Sequence, residues 1–188
     1  MIFFGLAIVG CGLDLWTKQA VFRSRGLPRP GNEWWIVEGR FGIETSVNPG
    51  ALFGMGAGGW WFFSLLSVLA LVGIFTWLFV FRAARDRWIT VALGFVSGGI
   101  LGNLYDRLGF AAELPPPLKH GVRDWILFVW PEIKLKIFNP WPNFNIADSL
   151  LVTGAIMLAV HAVVWREATQ ELTASNEAKI QSKRRVQE

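Results

Sequence analysis

A long stretch without charged side chains most strongly constrains how this chain can fold. No Asp, Glu, Lys or Arg occurs between residues 45 and 81, and residues 59–81 are almost entirely apolar. About 20 consecutive apolar residues form a helix that crosses the hydrocarbon core of a bilayer. A helix also satisfies its own backbone hydrogen bonds there, where water is absent. We therefore predict a membrane-spanning helix over about residues 57–81.

Three more apolar runs predict spans over about 3–22, 88–105 and 147–166. The first run lacks a positively charged start and a small-residue cleavage pattern, so we interpret it as a retained helix. The composition agrees, because 53% of residues are hydrophobic and only 17% are charged, against roughly 25% in soluble domains. We predict a mainly α integral membrane protein, a four-transmembrane-helix bundle over 1–168 with a polar basic tail over 169–188.

The basic residues predict the orientation of this bundle. The short connection at 82–87 carries three Arg and one Asp, and the tail ends in a basic cluster. Positive residues in short loops accumulate on the cytoplasmic side. We therefore expect both termini in the cytoplasm and the long loops, 23–55 and 106–146, outside it. The net charge of +4 is not gathered on an aromatic-interleaved face, so no nucleic-acid partner is expected.

The two long loops differ in character. Residues 33–48, EWWIVEGRFGIETSVN, are rich in aromatic and β-branched residues and predict one or two short strands. The second loop contains three consecutive prolines, residues 115–117. These prolines predict a stiff extended spacer and exclude a helix there. The role of the proline-rich segment 109–119 does not follow from the sequence.

Polar side chains collect near the predicted outer ends of the helices. Such groups are costly at membrane depth, so they tend to face the protein interior and mark function. Asp14 and Lys18 are four residues apart and share a helix face, which predicts an ion pair. Asp106 and Arg107 are adjacent and do not face each other, so each needs another partner. The remaining members of this set are Asn48, Asn103, Asp124, Asn145 and Asp148.

A pair of carboxylates is the catalytic chemistry that this set suggests. The chain has one cysteine, Cys11, and two distant histidines, His120 and His161, so we expect no disulfide and no metal site. Two aspartates in a low-dielectric site do not both ionise cheaply, and one keeps its proton. The ionised partner can take a proton from water while the protonated partner donates to a peptide carbonyl. Such a reaction needs no metal or cofactor.

Five sequence blocks together resemble the lipoprotein signal peptidase family, also called signal peptidase II. They are LDLWTK, NPGALF, GGILGNLYDR, VRDW and FNIADS, in this order along residues 1–165. The resemblance implies four transmembrane helices with a small extracytoplasmic β-cradle, in a bacterial inner membrane. It also implies an aspartic endopeptidase, without a cofactor, that cleaves prolipoproteins on the N-terminal side of a diacylglyceryl-modified cysteine. The expected partners are this substrate and membrane lipid, and we expect a monomer.

The resemblance also assigns roles to residues. It implies that the Asp of VRDW, Asp124, and the Asp of FNIAD, Asp148, form the catalytic dyad. It implies that five residues line the peptide groove: Asn48, Gly99, Asn103, Arg107 and Asn145. Asp14 and Asp106, with Lys18, would support the site.

Local alternatives exist for the acidic residues. Asp148 precedes an uncharged run from Ser149, so it can serve as the N-cap of the fourth helix. Asp106 lies in a strong motif and is the second candidate for a catalytic role. Arg123 stands next to Asp124, where a positive charge would favour the ionised carboxylate.

Two other classes of function fit the polar residues. A small transporter or ion-conducting subunit would use the same charges as a relay. However, those charges gather at one membrane face, and the strongest span holds none. A non-catalytic assembly or lipid-binding protein would need the charges for folding only. The chain also departs from the family pattern, because the segment around 109–119 and the link between VRDW and FNIAD are longer than usual.

Overall fold

The computed structural model describes residues 1–50, 58–134, 139 and 141–164. The predicted tail over 169–188 lies outside the described residues, as do the last two residues of the fourth predicted span. Along the chain, the described helices and strands are α1 (Ile2–Arg25), β1 (Trp34–Val37), β2 (Phe41–Asn48), α2 (Trp60–Phe75), α3 (Arg87–Arg107), β3 (Val122–Phe128), β4 (Trp141–Phe144) and α4 (Ile146–Val164). This architecture confirms a mainly α membrane protein with a small sheet.

Three helical segments are long and apolar enough to cross a membrane. They are Trp60–Val80, which is α2 continued by a π-helical turn, then α3 and α4. Helix α1 has 24 residues, or about 36 Å at 1.5 Å per residue, but it carries buried Asp14 and Lys18. Among the described residues, a helix therefore forms at each of the four apolar runs.

The connection between α2 and α3 is as short as the sequence suggests. Arg82 adopts a left-handed conformation with φ of 60°, and one 3-10 turn covers Ala83–Arg85. Asp86 is the N-cap of α3, and its carboxylate accepts the backbone N–H groups of Trp88 at 2.8 Å and Ile89 at 3.1 Å. This cap fixes where α3 begins.

Small residues bring α1 and α3 close together at the outer end. A Cβ added at Gly102 would overlap the carboxylate of Asp14, and one added at Gly98 would lie 3.2 Å from the carbonyl oxygen of Ala7. Glycine allows one backbone to approach another this closely. The close contact puts the polar side chains of α1 against those of α3.

The connections after α1 and α3 form a four-stranded antiparallel sheet in the order β1-β2-β3-β4. The sequence predicted β1 and β2, whereas β3 and β4 were not predicted. In β3 nearly every side chain is buried, including Arg123, so the polar–apolar alternation that indicates a strand is absent. In β4 a proline interrupts the pattern. Strand β3 places the VRDW block beside β2, with Asp124 opposite Ser46.

The proline-rich segment is not the fully extended spacer that we predicted. Pro115 is extended, but Pro116–Leu118 forms a single 3-10 turn. The expectation of no helix was wrong for this turn because proline fits the first positions of a helix, where its missing N–H has no partner to lose. Ala111 and Leu114 of this segment are buried against Phe22 of α1. The segment therefore packs onto the outer end of the bundle.

Candidate active site

A cavity of about 740 Å³ lies where α3, β3, β4 and α4 meet. Asp124 and Asp148 both line it, together with Asn48, Asn103 and Arg107. These five residues come from β2, α3, β3 and α4, and they are all members of the set that the sequence singled out. The fold therefore gathers distant motifs around one space.

Asp124 lies on β3 and is 3% exposed. Its Oδ1 accepts a hydrogen bond of 2.6 Å from the side-chain amide of Asn145. Burial, together with the negative charge of Asp148, raises the pKa of Asp124 well above its ordinary value of 3.8. A carboxyl group in this environment favours its protonated form.

Asp148 lies one turn into the membrane helix α4. The expectation that Asp148 is the N-cap was wrong, because Asn145 directly precedes the helix and takes that position. The Asn145 side chain accepts the backbone N–H of Asp148 at 3.0 Å, and Asp148 Oδ2 accepts the backbone N–H of Asn145 at 3.2 Å. This reciprocal arrangement is a capping box. It fixes the Asp148 carboxylate and leaves its Oδ1 facing the site.

Two asparagine amides connect the aspartates. Asn103 on α3 donates from Nδ2 to Asp148 Oδ1 at 2.9 Å. Asn145, which donates to Asp124, also donates to Asn103 Oδ1 at 3.1 Å. The two carboxyl groups are thus joined by a continuous chain of hydrogen bonds that runs through both amides. The sequence suggested no such connection, because the four residues belong to three motifs that are separated along the chain.

Lys18 lies behind these amides and is fully buried. Its ammonium nitrogen lies 2.6 Å from Asp14 Oδ2, 3.1 Å from Asp106 Oδ2 and 2.9 Å from Asn103 Oδ1. An ammonium group has three protons to donate, so three oxygens match it. The predicted Asp14–Lys18 ion pair is present, but it is part of a larger network.

Asp14 also contacts the start of α4. Its Oδ1 accepts a hydrogen bond of 2.9 Å from the backbone N–H of Ala147. This N–H lies in the first turn of α4, where backbone N–H groups have no acceptor within the helix. The same carboxylate therefore holds Lys18 on one side and α4 on the other.

Asp106 is a structural residue in this geometry. It is fully buried, and it pairs with Arg123 through a backbone N–H at 3.0 Å and guanidinium contacts of 2.9 and 2.7 Å. Its other ion-pair partner is Lys18. It does not line the cavity, and its oxygens are committed to these cations. The geometry therefore gives Asp106 no access to a substrate.

The expectation that Arg123 favours ionised Asp124 was wrong. Adjacent side chains in a strand point to opposite faces. The guanidinium of Arg123 accordingly pairs with Asp106 and Glu113, while Asp124 faces the cavity. Among the described residues, no guanidinium donates to Asp124.

Arg107 and Asn48 lie at the cavity wall near the end of β2. The Arg107 guanidinium carbon lies 5.5 Å from the centre of the Phe63 ring on α2, and its NH2 group lies 3.5 Å from the Gly50 carbonyl oxygen. Asn48 Oδ1 accepts the Gly50 backbone N–H at 3.0 Å. These two polar groups stand where a bound peptide could contact them.

Gly99 and Asn145 were expected to line the groove, and the structure places both behind its wall. A Cβ at Gly99 would overlap the carbonyl oxygen of Ala147 and lie 2.8 Å from Leu151. Gly99 thus allows α3 and α4 to touch, while fully buried Asn145 bridges the polar residues.

The apolar wall of the cavity was not predicted from the sequence. Trp141 and Phe144 from β4 line it, with Leu151 and Val152 from α4. Leu151 and Val152 follow Asp148 by three and four residues, which puts them on the same helix face. This spacing was a readable signal, because a helix face that carries a candidate catalytic residue also lines its site.

Among the described residues, no group of three or more His, Cys, Asp or Glu is arranged to hold a metal ion. The site is a network of carboxyl, amide and ammonium groups beside an apolar wall.

Comparisons with known proteins show the family of this chain. The model of the family described as "Signal peptidase (SPase) II" matches residues 6–164. A lipoprotein signal peptidase of Rhodopirellula baltica is 58% identical over 163 residues, which are 86% of this chain and 71% of that protein. One from Rhodococcus jostii is 33% identical, over 89% of this chain and 75% of that protein. One from Bacillus pumilus is 30% identical, with corresponding shares of 92% and 99%.

The fold is also similar to that of a solved structure. A bacterial membrane enzyme determined by the in meso method at 2.3 Å resolution superposes with a TM-score of 0.68 and 24% sequence identity. The match covers 84% of this chain and 85% of that one. Both the sequence family and the fold thus agree with the five motifs and the membrane architecture. The chain belongs to the signal peptidase II family, the aspartic-type membrane peptidases of bacteria that cleave signal peptides from prolipoproteins.

Proposed function

We propose that Asp124 and Asp148 are the catalytic dyad of this peptidase. The observation that carries the proposal is their placement on one cavity, joined by the amides of Asn103 and Asn145. Two acids in such a site titrate as a pair and share a proton. Family membership supports aspartic chemistry, and these are the two aspartates that line the cavity among the described residues.

The geometry supports different roles for the two acids. Asp124 is the more buried, and its raised pKa keeps it protonated. Asp148, which is half-buried and accepts two N–H groups, takes a proton from water. The resulting hydroxide attacks the peptide carbonyl carbon while Asp124 donates its proton to the carbonyl oxygen. When the tetrahedral intermediate collapses, that proton returns to Asp124, and Asp148 passes its proton to the leaving amine.

We propose that the substrate is cleaved on the N-terminal side of a diacylglyceryl-modified cysteine. The cavity supports this because its polar dyad adjoins an apolar wall from β4 and α4. Acyl chains gain about 0.8 kcal/mol for each CH₂ that stays in lipid. Chains held in the bilayer would keep the scissile bond at the helix ends, where Asp148 lies. Arg107 and Asn48 would bind the peptide backbone.

The test is cleavage of a lipidated prolipoprotein by Asp124→Asn and Asp148→Asn variants, followed by gel shift. Asparagine has nearly the same shape as aspartate, but its amide cannot donate or accept the catalytic proton. We therefore expect turnover to fall by more than 10³-fold in each variant. Asp86→Asn is the matched control. Like Asp148, Asp86 is an aspartate at the start of a helix, and Asn caps a helix equally well, so cleavage should stay near wild type. Near-normal cleavage by both dyad variants would contradict the proposal.

Membership of the peptidase family sets aside the transporter and the non-catalytic assembly protein as primary functions. We also propose a monomer with both termini in the cytoplasm. The monomer is supported because the proposed dyad and its bridging amides need no residue from a second chain, and the orientation is supported by the arginines of the short 82–87 connection. Reaction of a cysteine introduced at Arg85 with a membrane-impermeant reagent, in intact and lysed cells, tests the orientation. Labelling of this cysteine in intact cells would contradict a cytoplasmic position for the 82–87 connection.

A further inference from the structure

The segment between α3 and β3 connects three parts of the fold. Its Ala111 and Leu114 pack on Phe22 of α1. Its Glu113 pairs with Arg123 of β3. These contacts attach the first half of the segment to the rigid part of the molecule. Near the end of the segment, His120 reaches helix α2.

His120 contacts α2 and α3 at the same time. Its ring stacks on the ring of Trp60, the first residue of α2, with centroids 4.0 Å apart and an angle of 10° between planes. Its Nδ1 lies 2.9 Å from the carbonyl oxygen of Arg107, the last residue of α3. Because a carbonyl only accepts, His120 Nδ1–H is the donor. A Cβ at Gly109 would lie 3.0 Å from the His120 ring, so glycine there makes room for it.

Against the part of the chain that the structure describes, helix α2 buries few of its side chains. Ser64 is the buried residue of α2 itself, and Leu78 is the buried residue of its π-helical continuation. Near the end of α2 that begins at Trp60, the Phe63 ring contacts the Arg107 guanidinium directly. The Trp60 ring reaches the Arg107 carbonyl oxygen through His120, so both contacts lead to Arg107.

The position of this end of α2 affects the cavity. Ser67 of α2 lines the cavity, and Arg107 lines it from α3. If the outer end of α2 moves, the width of the cavity and the direction of the Arg107 guanidinium both change. His120 is well placed to prevent that movement, since it ties the α2 ring to the α3 carbonyl.

We propose that His120 is a positioning residue for substrate binding, which sets the spacing of α2 and α3 and the orientation of Arg107. This rests on the proposed function, because it takes the cavity as the prolipoprotein site. His120 contacts no reacting group, so its loss affects binding of the substrate more than the chemical step. The longer segment 109–121 thereby acquires a role, which is to carry His120 to Trp60.

The test measures KM and kcat separately for prolipoprotein cleavage. His120→Ala removes both contacts, and we expect KM to rise about three- to tenfold with kcat within about twofold, as an aromatic pair and one hydrogen bond suggest. His120→Phe keeps the stacking and His120→Asn keeps a donor near the Nδ1 position. Each of these two variants should therefore restore part of the KM, and Trp60→Ala should raise KM as His120→Ala does.

Trp61→Ala is the matched control for Trp60→Ala. Trp61 is the next residue of α2, it is 60% exposed, and its ring contact is with Phe62 of the same helix. We expect wild-type KM for this variant. Equal KM changes for Trp60→Ala and Trp61→Ala would overturn the proposal, because the effect would then belong to any indole near the lipid.

Hydrogen exchange supplies a readout that does not depend on catalysis. The backbone N–H groups of Phe62 and Phe63 bond to the Gly59 carbonyl at 3.0 and 3.2 Å. In His120→Ala these amides should exchange faster, by about the same factor as KM rises. An unchanged exchange rate with unchanged KM would refute the positioning role of His120. Failure of the dyad would appear separately, as full turnover by Asp124→Asn and Asp148→Asn.

Discussion

Replacement of Lys18 by methionine would separate the stability of the site from its chemistry. Lys18 is fully buried and faces the oxygens of Asp14, Asp106 and Asn103. Methionine has a similar length but no charge, so it leaves the cavity filled while removing the cation. Asp106 keeps Arg123 as a partner, whereas Asp14 loses its ion-pair partner among the described residues.

The expected loss of stability follows from the unpaired charge that is left on Asp14. Removing one partner of a buried ion pair costs about 3–5 kcal/mol, because the other charge stays buried without compensation. Lys18→Met should therefore lower the free energy of unfolding by about that amount. Replacing both partners restores most of it, because the uncompensated charge is gone. The double variant Asp14→Asn with Lys18→Met should recover at least half of the lost stability.

Activity should not recover in the double variant. Lys18 donates to Asn103 Oδ1, and this bond turns the Asn103 NH₂ group toward Asp148. Without Lys18, Asn103 Oδ1 loses its charged donor and keeps only the Asn145 amide at 3.1 Å, so the orientation of the Asn103 amide is held less firmly. A hydrogen bond to a charged group contributes about 1.5–3 kcal/mol, and each 1.36 kcal/mol is tenfold in rate. We expect kcat to be about 10- to 100-fold below wild type in both variants.

Thermal unfolding in detergent and prolipoprotein cleavage are the two assays. Lys119→Met is the control, because Lys119 is exposed and a surface change of this kind stays within about 0.5 kcal/mol. Wild-type stability of Lys18→Met would show that the buried ion network does not stabilise the fold. Full activity of the double variant would refute the role of Lys18 in orienting Asn103.

Three further predictions concern the dyad and the helix contact behind it. Because the pKa of Asp124 is raised, kcat should fall toward high pH as Asp124 loses its proton. A kcat that does not fall with rising pH would contradict the proton-donor role assigned to Asp124. Because the pKa of Asp124 is higher in the folded protein, wild type loses stability as pH rises from about 4 through that folded pKa. Asp124→Asn has no such proton to lose, so its melting temperature minus that of wild type should increase over this range and then level off. A difference that stays constant with pH would refute the raised pKa. Gly99→Ala should lower the free energy of unfolding, measured with denaturant, by about 1–3 kcal/mol, because the added Cβ overlaps the Ala147 carbonyl oxygen and overpacks the contact. Gly73→Ala is the control and should not lower it, because a Cβ there meets no atom within 4 Å.

The sequence alone determined the membrane architecture and the identity of the chemical groups. Charge-free runs of about 20 residues can cross lipid only as helices, so the spans followed from hydropathy without reference to other parts of the chain. The isolated aspartates and asparagines at the ends of those runs were also visible, because polar residues near lipid are few.

Only the tertiary structure decided how these groups pair. Adjacent Arg123 and Asp124 looked like partners, yet strand β3 turns them to opposite faces, and Arg123 pairs with Asp106. The cap of α4 proved to be Asn145 because the helix begins one residue after it, and Asp148 is the reciprocal member. Sequence spacing predicts neighbours within one helix or strand, but it does not give the register between elements.

The buried network behind the dyad shows the same division. The Asp14–Lys18 pair follows from helical periodicity, whereas its extension to Asp106, Asn103 and the start of α4 depends on the close contact of α1 with α3. The sequence thus determined which elements and reactive groups this protein has, since both are set by local composition. The tertiary structure decided which groups meet, because pairing depends on helix contacts and strand register between residues far apart in the chain.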